Sequence, residues 1–368
     1  MFPMKRRDFA KIAGMGALAM QSFPASASIK LLKSEPTQSA KIPLGLCNHS
    51  LRSMSLSAQK LVEYAIAQKL DSVLLNTFQP LDSLEPEYLS GLSKMAKKND
   101  VSIYIGAGSI SEKSKAFSAK YGNAEELLTK GIRVASAVGS PIVGCRIGGI
   151  EDRYMDGGIE AHIEAVIKVM KSLRSVALDA GIKFAFENHA GDLRSTELLA
   201  LIRETGTNIC GALFDPANAL WAMENPMDAL KVLGSNIICT SVRDVTVWAT
   251  DEGITFQGMA IGEGMLDFTL FAKTMAELCM GVPLHVETIS NSARPVPFLN
   301  PEFWKGFPNL SAAEIIGFLN MARKGKSLEI AKPPQGKSQK DFDIELQQSE
   351  LLKSFDYLRK NCNAGLKS

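Results

Sequence analysis

The stretch "IKFAFENHAGD", residues 182–192, joins a buried-looking strand to a cluster of polar residues at its end. Its first five residues are mostly apolar and follow a glycine, and Ala-Gly-Asp closes the stretch, which is typical of a short strand bounded by turns. Strand alternation places Phe184 and Phe186 on one face and Ala185 and Glu187 on the other. Glu187 therefore lies at the end of the strand, either on the protein surface or in a functional site. The ends of the neighbouring strands distinguish the two cases.

Seven further apolar runs of this kind recur along the chain. They begin at Ile42 ("IPLGLC"), Asp71 ("DSVLLN"), Val101 ("VSIYIGAG"), Ser140 ("SPIVGCRIGG"), Ile209 ("ICGALFDPAN"), Asn236 ("NIICTSVRD") and Val282 ("VPLHVET"). Helix-period segments such as "AEELLTKGIRVASAVG" and "STELLALIRETG" lie between most of them, and several end in glycine, a common helix stop. Eight strand–helix units without a break in composition predict an α/β fold, a single (β/α)8 TIM barrel over residues 41–325.

The two ends of the chain differ from the barrel. "KRRDF" near the N-terminus, followed by a short apolar run and "ASA" at 25–27, resembles a twin-arginine export signal. We therefore expect residues 1–27 to be a signal peptide, 28–40 to be a linker and the mature protein to be exported to the periplasm; the alternative is a basic amphipathic helix of the mature fold. At the other end "IELQQSELLKSFDYLRKN" predicts a linker and C-terminal helix over 326–368, which packs on the barrel or on a second subunit of a homo-oligomer.

Composition excludes several classes of partner. The chain has 41 basic and 39 acidic residues, and the predicted signal holds four of the basic residues and one acid, so the mature chain is close to neutral. A neutral chain lacks the basic surface that nucleic acid requires. No other stretch is long and apolar enough to predict membrane insertion after signal removal. The six cysteines show no CxxC spacing and are interpreted as small buried hydrophobic residues, although an oxidising compartment permits a disulfide.

Acids at three predicted strand ends indicate one site. In a TIM barrel the active site lies at the carboxyl ends of the strands, and inward-facing residues alternate with residues that face the helices. Glu187 ends the fifth strand, Asp215 ends the sixth and Glu287 ends the eighth, each on the inward parity. Convergent carboxylates repel one another, so a shared divalent cation or a raised pKa is the expected resolution. The alternative is three separate solvated acids.

The ordered motifs "FENHAGD", "LFDPAN", "SVRD", "GEGMLDF" and "HVET" resemble those of the sugar phosphate isomerase/epimerase family, the xylose-isomerase-like TIM barrels. The resemblance runs from about residue 42 to about residue 321. It implies one divalent metal, commonly manganese, magnesium or cobalt, held by Glu, Asp, His and Glu from strands five to eight. Glu187, Asp215 and Glu287 fall on three of these positions. At the fourth, the family pattern often reads His-Val-Lys/Arg-Asp, and this chain has Ser241 in place of the histidine.

Ser241 changes the expected metal chemistry. Loss of an imidazole leaves an oxygen donor set better suited to magnesium, manganese or calcium, or leaves no metal site at all. His189 and His285 are candidates to fill the gap; His189, at the rim, is the better candidate for contacting substrate, whereas His285 lies one layer deeper and is expected to be a hydrogen-bonded core residue. Arg243 shares the parity of Ser241 and is the alternative positive charge for the acids.

Two further polar residues are candidates for binding substrate. Asn218, three residues past Asp215, occupies a place where similar enzymes contact substrate, but "DPAN" also predicts an ordinary Asx turn. Arg146 ends the fourth strand beside glycines, where it binds a sugar hydroxyl, an anion or a neighbouring acid.

The function predicted from these residues is that of a sugar isomerase or epimerase, in which Glu187 and Glu287 remove and return a proton next to a carbonyl, assisted by a metal or an arginine. The alternatives are a keto-sugar lyase or dehydratase on the same site and a non-catalytic sugar-binding barrel with a decayed metal site. A third class is the endonuclease branch of the fold, which needs several metal-binding histidines and a basic groove; four histidines and a near-neutral mature chain count against it. Export favours an unphosphorylated or oxidised sugar.

Overall fold

Eight parallel strands form a barrel, and a small antiparallel sheet stands beside it. The structure is a computed structural model that describes residues 41–289 and 291–367; the predicted signal peptide and linker lie outside the described residues. The barrel strands are β1 (Leu44–Cys47), β2 (Ser72–Leu75), β3 (Ser102–Ser109), β4 (Ile142–Arg146), β5 (Lys183–Glu187), β6 (Cys210–Phe214), β7 (Ile237–Thr240) and β10 (Leu284–Val286). The second sheet contains β8 (Asp244–Thr250), β9 (Gly253–Met259) and β11 (Ala293–Val296).

The barrel strands follow the order of the chain, and β10 returns to pair with β1. The ring closes just past the end of β7. There the amide of Val242 donates to the carbonyl of His285 at 2.7 Å, and the amide of Glu287 donates to the carbonyl of Val242 at 2.9 Å. The prediction of a single (β/α)8 barrel is therefore confirmed.

Helices surround the barrel strands. They are α1 (Ala58–Ala67), α2 (Pro86–Lys98), α3 (Ala124–Val138), α4 (Gly158–Ser172), α5 (Arg174–Ala180), α6 (Ser195–Thr205), α7 (Pro226–Leu233), α8 (Phe268–Leu278), α9 (Ile316–Ala322) and α10 (Gln339–Cys362). α4 and α5 are separated at Leu173, whose φ of −93° and ψ of 7° leave the helical range. Within the described part of the chain, no helix combines the length and apolarity needed to cross a bilayer.

Strand alternation sorts the side chains as the sequence predicts. Phe184 and Phe186 are buried in the main core between strands and helices. The barrel interior holds a separate small cluster formed by Cys47, Leu74, Ile142, Ala185, Leu213 and Cys239. Gly45 is required by this packing, because a Cβ there would lie 2.4 Å from Ser72 Oγ and 2.5 Å from His285 Cδ2. All six cysteines are buried and free.

The second sheet was not predicted. β8 and β9 form an antiparallel hairpin directly after the seventh barrel strand, and β11 pairs antiparallel with β9 after the eighth. Alternation along β8 buries Val245 and Val247 against a second hydrophobic core that includes Phe256, Val296 and Phe318. Because it follows the carboxyl ends of two barrel strands, this sheet lies at the end of the barrel where the acids converge.

The long helix α10 packs against the barrel at the loop that follows β1. That loop is a 3₁₀ segment, Asn48–Met54. Gln347 of α10 is buried; its Nε2 donates to Ser53 Oγ at 2.8 Å, and its Oε1 accepts from the Ser53 amide at 3.1 Å. The C-terminal helix therefore holds a loop at the mouth of the barrel.

Candidate active site

The carboxyl ends of the barrel strands surround a polar cavity of about 450 Å³. Six of the residues singled out from the sequence line it: Arg146, Glu187, His189, Asn218, Arg243 and Glu287. Asp215 lies beneath them and is fully buried. Strand parity thus brings these side chains, which are distant in sequence, to one place.

Three carboxylates converge at the base of the cavity. Glu187 is the last residue of β5, and Asp215 and Glu287 immediately follow β6 and β10. One oxygen from each of the three lies within 4.8 Å of the others. Oxygens that share one divalent ion at about 2.0–2.6 Å lie at most about 4–5 Å apart, so this donor set is compatible with a single metal ion.

A guanidinium group shares the same acids. Arg243 Nη2 lies 2.7 Å from Asp215 Oδ2, and Arg243 Nη1 lies 3.7 Å from Glu287 Oε2. Nη2 also donates to Asn218 Oδ1 at 2.8 Å. Burial lowers the pKa of Arg243, but Asp215 and Glu287 raise it further, so the group stays cationic. Arg243, which the sequence analysis named as the alternative to a metal, therefore supplies a positive charge that contacts two of the three acids.

Ser241 contacts the acid cluster as its parity predicts. Its hydroxyl donates to Glu287 Oε2 at 2.8 Å. The other oxygen of Glu287 accepts from Cys47 Sγ at 3.7 Å. At the position where the family pattern has an imidazole, this chain has a hydroxyl that orients a carboxylate.

Asn218 combines both roles that the sequence left open. Asp215 Oδ1 accepts from the amides of Ala217 at 2.8 Å and Asn218 at 3.2 Å, which forms the expected Asx turn. The side chain of Asn218 lines the cavity, and its Nδ2 donates to Glu187 Oε1 at 3.3 Å. The turn therefore aims the amide at the carboxylate of β5.

Several buried polar atoms here form no hydrogen bond with any described residue. They are Asp215 Oδ2, Arg243 Nη1 and Arg146 Nε. Asp215 Oδ2 is close to Arg243 but lacks hydrogen-bond alignment with it. Arg146 Nη1 lies 4.0 Å from Glu187 Oε2, which is the neighbouring acid that the sequence proposed as its partner. Arg243 Nη1 and Arg146 Nε therefore give the site donors for a bound ligand, whereas Asp215 Oδ2 is ion-paired with Arg243.

Burial and mutual repulsion give the three acids different proton affinities. Burial raises the pKa of Glu187 to about 8, with Arg146 opposing the rise and the neighbouring acids adding to it. Burial also raises the pKa of Asp215 to about 7, against the effect of Arg243. Burial would raise the pKa of Glu287 as well, but Arg243 and nearby donors outweigh it and hold that pKa below its ordinary value. Because the pKa of Glu187 is raised and that of Glu287 is lowered, one carboxyl group can act as an acid while the other acts as a base.

The two candidate histidines lie at different depths. His189 lines the cavity, and its Nδ1 hydrogen-bonds the carbonyl of Gly148. His285 is fully buried and hydrogen-bonds Ser72 Oγ at 3.0 Å and the Thr240 carbonyl at 3.1 Å, as expected for a core residue. Burial lowers the pKa of both rings to about 3, so both are neutral. Within the described chain neither histidine joins the three acids as a metal ligand.

The loop after β1 carries site residues that the sequence reasoning missed. His49 and Arg52 both line the cavity, and Arg52 Nη1 donates to the carbonyl of Thr288 at 3.2 Å. The polar run "NHSLRS" directly after the first strand was the available signal. The strand-end rule applies to this run as it does to the acids.

Asp192 is a second missed residue, and it organises the rim. It is fully buried, and its carboxylate accepts from the amides of Ile147 and Gly148, both at 3.1 Å, and of His189 at 2.8 Å. It therefore joins the loop after β4 to the loop after β5. Because the Gly148 carbonyl holds the ring of His189, Asp192 also sets the orientation of that histidine.

Comparison with known proteins agrees with this architecture. A protein-family model described as xylose isomerase-like TIM barrel matches residues 64–307. YihM, an uncharacterized protein of Escherichia coli K12, is 28% identical over 129 residues, which cover 35% of this chain and 38% of that relative. The match therefore spans well under half of either protein.

Several solved structures share the fold. D-psicose 3-epimerase of Clostridium cellulolyticum H10, solved with D-tagatose, matches with a TM-score of 0.57 at 12% identity over 87% of this chain and 99% of that one. The IOLI protein, solved with a zinc atom, matches at 0.54 and 15% identity over 87% and 99%. A xylose isomerase domain protein from Planctomyces limnophilus matches at 0.51 and 17% identity over 67% and 91%. At these identities the likeness establishes the fold.

Proposed function

Because the chain belongs to the xylose isomerase-like TIM barrel family, we propose that it is a carbohydrate isomerase or epimerase that moves a proton on a carbon next to a sugar carbonyl. One observation carries the proposal: Glu187 and Glu287 meet in a single polar cavity beside two arginines. The substrate class is supported by solved structures of this fold, which include D-psicose 3-epimerase and L-ribulose 3-epimerase.

The two glutamates supply the acid and the base. One carboxylate removes the proton from the carbon next to the carbonyl, and the other returns a proton to the adjacent atom or to the opposite face. Ser241 and Asn218 orient them, because each donates to one glutamate. Fixed carboxylates at hydrogen-bond distance from a bound sugar need no reorganisation during the transfer.

Negative charge develops on the carbonyl oxygen when the proton leaves. Arg243 Nη1 and Arg146 Nε are buried donors with no hydrogen-bond acceptor among residues 41–289 and 291–367, so they can stabilise that oxygen as an enediolate forms. His189 adds a neutral ring at the rim. Its Nδ1 proton is directed to the Gly148 carbonyl, so its Nε2 is an acceptor for a sugar hydroxyl.

A divalent ion would be held by Glu187, Asp215 and Glu287. The oxygen-only donor set suits magnesium or manganese better than zinc. When bound, such an ion supplies Lewis-acid polarisation of the carbonyl. Arg243 already neutralises two of these acids, so the residues support a weakly bound, exchangeable ion.

The predicted twin-arginine signal supports an exported protein, for which we propose an unphosphorylated sugar. A keto-sugar lyase would share the first proton transfer and differ in expelling a group from the next carbon. A sugar-binding barrel without activity would bind the same ligands and exchange no proton.

Deuterium exchange tests the proposal. The folded protein is incubated with D-fructose or D-tagatose in D2O, with and without Mg²⁺ or Mn²⁺, and NMR follows the C–H next to the carbonyl. We expect exchange or a new sugar in the wild type, and a loss of at least about 100-fold in Glu187→Gln and Glu287→Gln. Glu204→Gln, an exposed glutamate paired with Lys171, is the matched control.

Each outcome separates the candidate functions. Release of a fragment instead of isomerisation indicates a lyase. Sugar binding without exchange indicates a binding barrel. Exchange that survives both Glu187→Gln and Glu287→Gln assigns the proton transfer to other residues.

A further inference from the structure

A second cavity of about 340 Å³ adjoins the first. Five residues line both cavities: His49, His189, Asn218, Arg243 and Ile289. A ligand seated among the acids can therefore extend past these residues into the second space. The proposed isomerisation uses only the first cavity.

The second cavity has an aromatic and aliphatic wall. Trp221, from the loop after β6, contacts Phe256 of β9 edge to face, with ring centroids 5.3 Å apart and planes at 89°. This contact fixes the plane of the indole. Val245 of β8 and Ile150 from the loop after β4 are also part of the apolar lining. The antiparallel sheet of β8, β9 and β11, which the sequence did not predict, therefore forms one side of the second cavity.

Charged groups lie at the edge of this wall. Glu151 and Arg294 also line the cavity, and both are exposed. A pyranose ring has an apolar C–H face and a periphery of hydroxyls. A rigid aromatic wall with hydrogen-bonding groups at its edge matches both parts.

We propose that the second cavity is a subsite for a second sugar ring. On this view the substrate is a disaccharide or related glycoside, whose carbonyl-bearing unit lies among the three acids and whose other unit packs on Trp221. The inference rests on the proposed function, because the carbonyl-bearing unit is assigned to the first cavity.

Binding measurements with matched sugars test the subsite. Calorimetry compares D-fructose and D-tagatose with the ketose-containing disaccharides maltulose, lactulose and isomaltulose. We expect at least one disaccharide to bind about tenfold tighter than the free ketose, as one aromatic contact of this kind can supply. Trp221→Ala should remove that advantage and leave affinity for the free ketose within about twofold.

Trp248→Ala is the matched control. Trp248 lies on β8 at the parity opposite to Val245 and Val247, and it does not line either cavity. The control should keep the preference for disaccharides.

Three results overturn the subsite: no disaccharide in the panel binds, every disaccharide binds no tighter than the free ketose, or Trp221→Ala weakens binding of both equally. These results are distinct from failure of the proposed function. Exchange on a free ketose without any gain for disaccharides keeps the isomerase and removes the subsite. Tight disaccharide binding without exchange supports the subsite and contradicts the proposed proton transfer.

Discussion

Arg243 Nη2 lies 2.7 Å from Asp215 Oδ2, at the cluster where three carboxylates could share a metal ion. The guanidinium and a divalent cation compete for the same negative charge. Arg243→Gln should therefore tighten Mn²⁺ binding by about tenfold or more, since one unit charge a few Å away is worth on the order of 1–4 kcal/mol. Calorimetry of the folded variant measures this, and Arg243→Lys, which keeps the charge, is the control. Weaker Mn²⁺ binding in Arg243→Gln would show that the arginine supports the metal site.

Ser241 is the position at which a stronger ligand can be restored. Its Oγ already lies 2.8 Å from Glu287 Oε2, so an imidazole at 241 is directed toward the same acids. We expect Ser241→His to bind Mn²⁺ or Co²⁺ more tightly than the wild type, because it adds a nitrogen donor. Ser241→Ala, which adds no donor, is the control. If wild type and Ser241→His both stay folded and neither binds a divalent ion, the metal hypothesis fails and Arg243 is the electrostatic partner of the acids.

Without divalent ions, stability should fall as the pH rises from about 6.5 to about 8; below that window His189 and His285, which the unfolded chain protonates and the native state keeps neutral, act in the opposite direction. The folded-state pKa of Glu187 is raised from 4.5 to about 8, and that of Asp215 from 3.8 to about 7. In that window the native state binds more protons than the unfolded chain, so deprotonation favours unfolding. The lowered pKa of Glu287 acts only below its ordinary value, outside this window.

Urea unfolding at several pH values in EDTA measures this slope. Glu187→Gln should flatten it, because the amide does not titrate, whereas Glu204→Gln should leave it unchanged. A wild-type stability that rises between about pH 6.5 and pH 8 would contradict the assigned proton affinities.

Asp192 should matter both for stability and for the orientation of His189. Asp192→Asn places an amide group where three backbone N–H groups donate, so at least one buried donor loses its acceptor. We expect a loss of about 1–3 kcal/mol in the free energy of unfolding and weaker sugar binding. Asp251→Asn, at an exposed turn, is the control. An unchanged sugar affinity in Asp192→Asn would remove His189 from the binding site.

Gln347 should couple the C-terminal helix to the cavity. Gln347→Ala removes both hydrogen bonds to Ser53 in the loop that carries His49 and Arg52. Each lost hydrogen bond removes about 0.5–1.5 kcal/mol of the free energy that holds the loop in place. We therefore expect sugar affinity to fall several-fold while the barrel stays folded. Gln339→Ala, at the exposed start of α10, is the control. Equal affinities in the two variants would show that α10 leaves the cavity unaffected.

The sequence predicted the barrel and the convergence of the acids because both depend on local rules. Apolar runs mark the strands, and a period of two sets which side chains face inward, so Ala185 and Glu187 could be assigned without knowing their neighbours. The strand-end rule then placed Asp215, Arg243 and Glu287 at the same mouth. The depth of His285 followed from the same alternation.

The loops could not be predicted in this way. The strand-end rule places His49 near the mouth, but it does not predict that the segment Asn48–Met54, which carries His49, contacts α10, nearly 300 residues later in the chain. Asp192 folds back onto amides of the preceding βα loop, a contact with no signature in its own stretch. The alternating residues in "VTVWAT" indicate a strand. The sheet that contains this strand, and the second cavity that the sheet lines, depend on pairing of β8 with β9 and of β9 with β11.

By itself, therefore, the sequence determined the (β/α)8 barrel and the set of side chains that point to its mouth. The reason is that the alternation along a strand is set within a few residues and the strands follow one another in chain order. Only the tertiary structure decided that Arg243 contacts Asp215 and Glu287 while Ser241 supports Glu287. The physical reason is that charge pairing among buried groups depends on distances across the barrel, which arise from the packing of all eight strands at once.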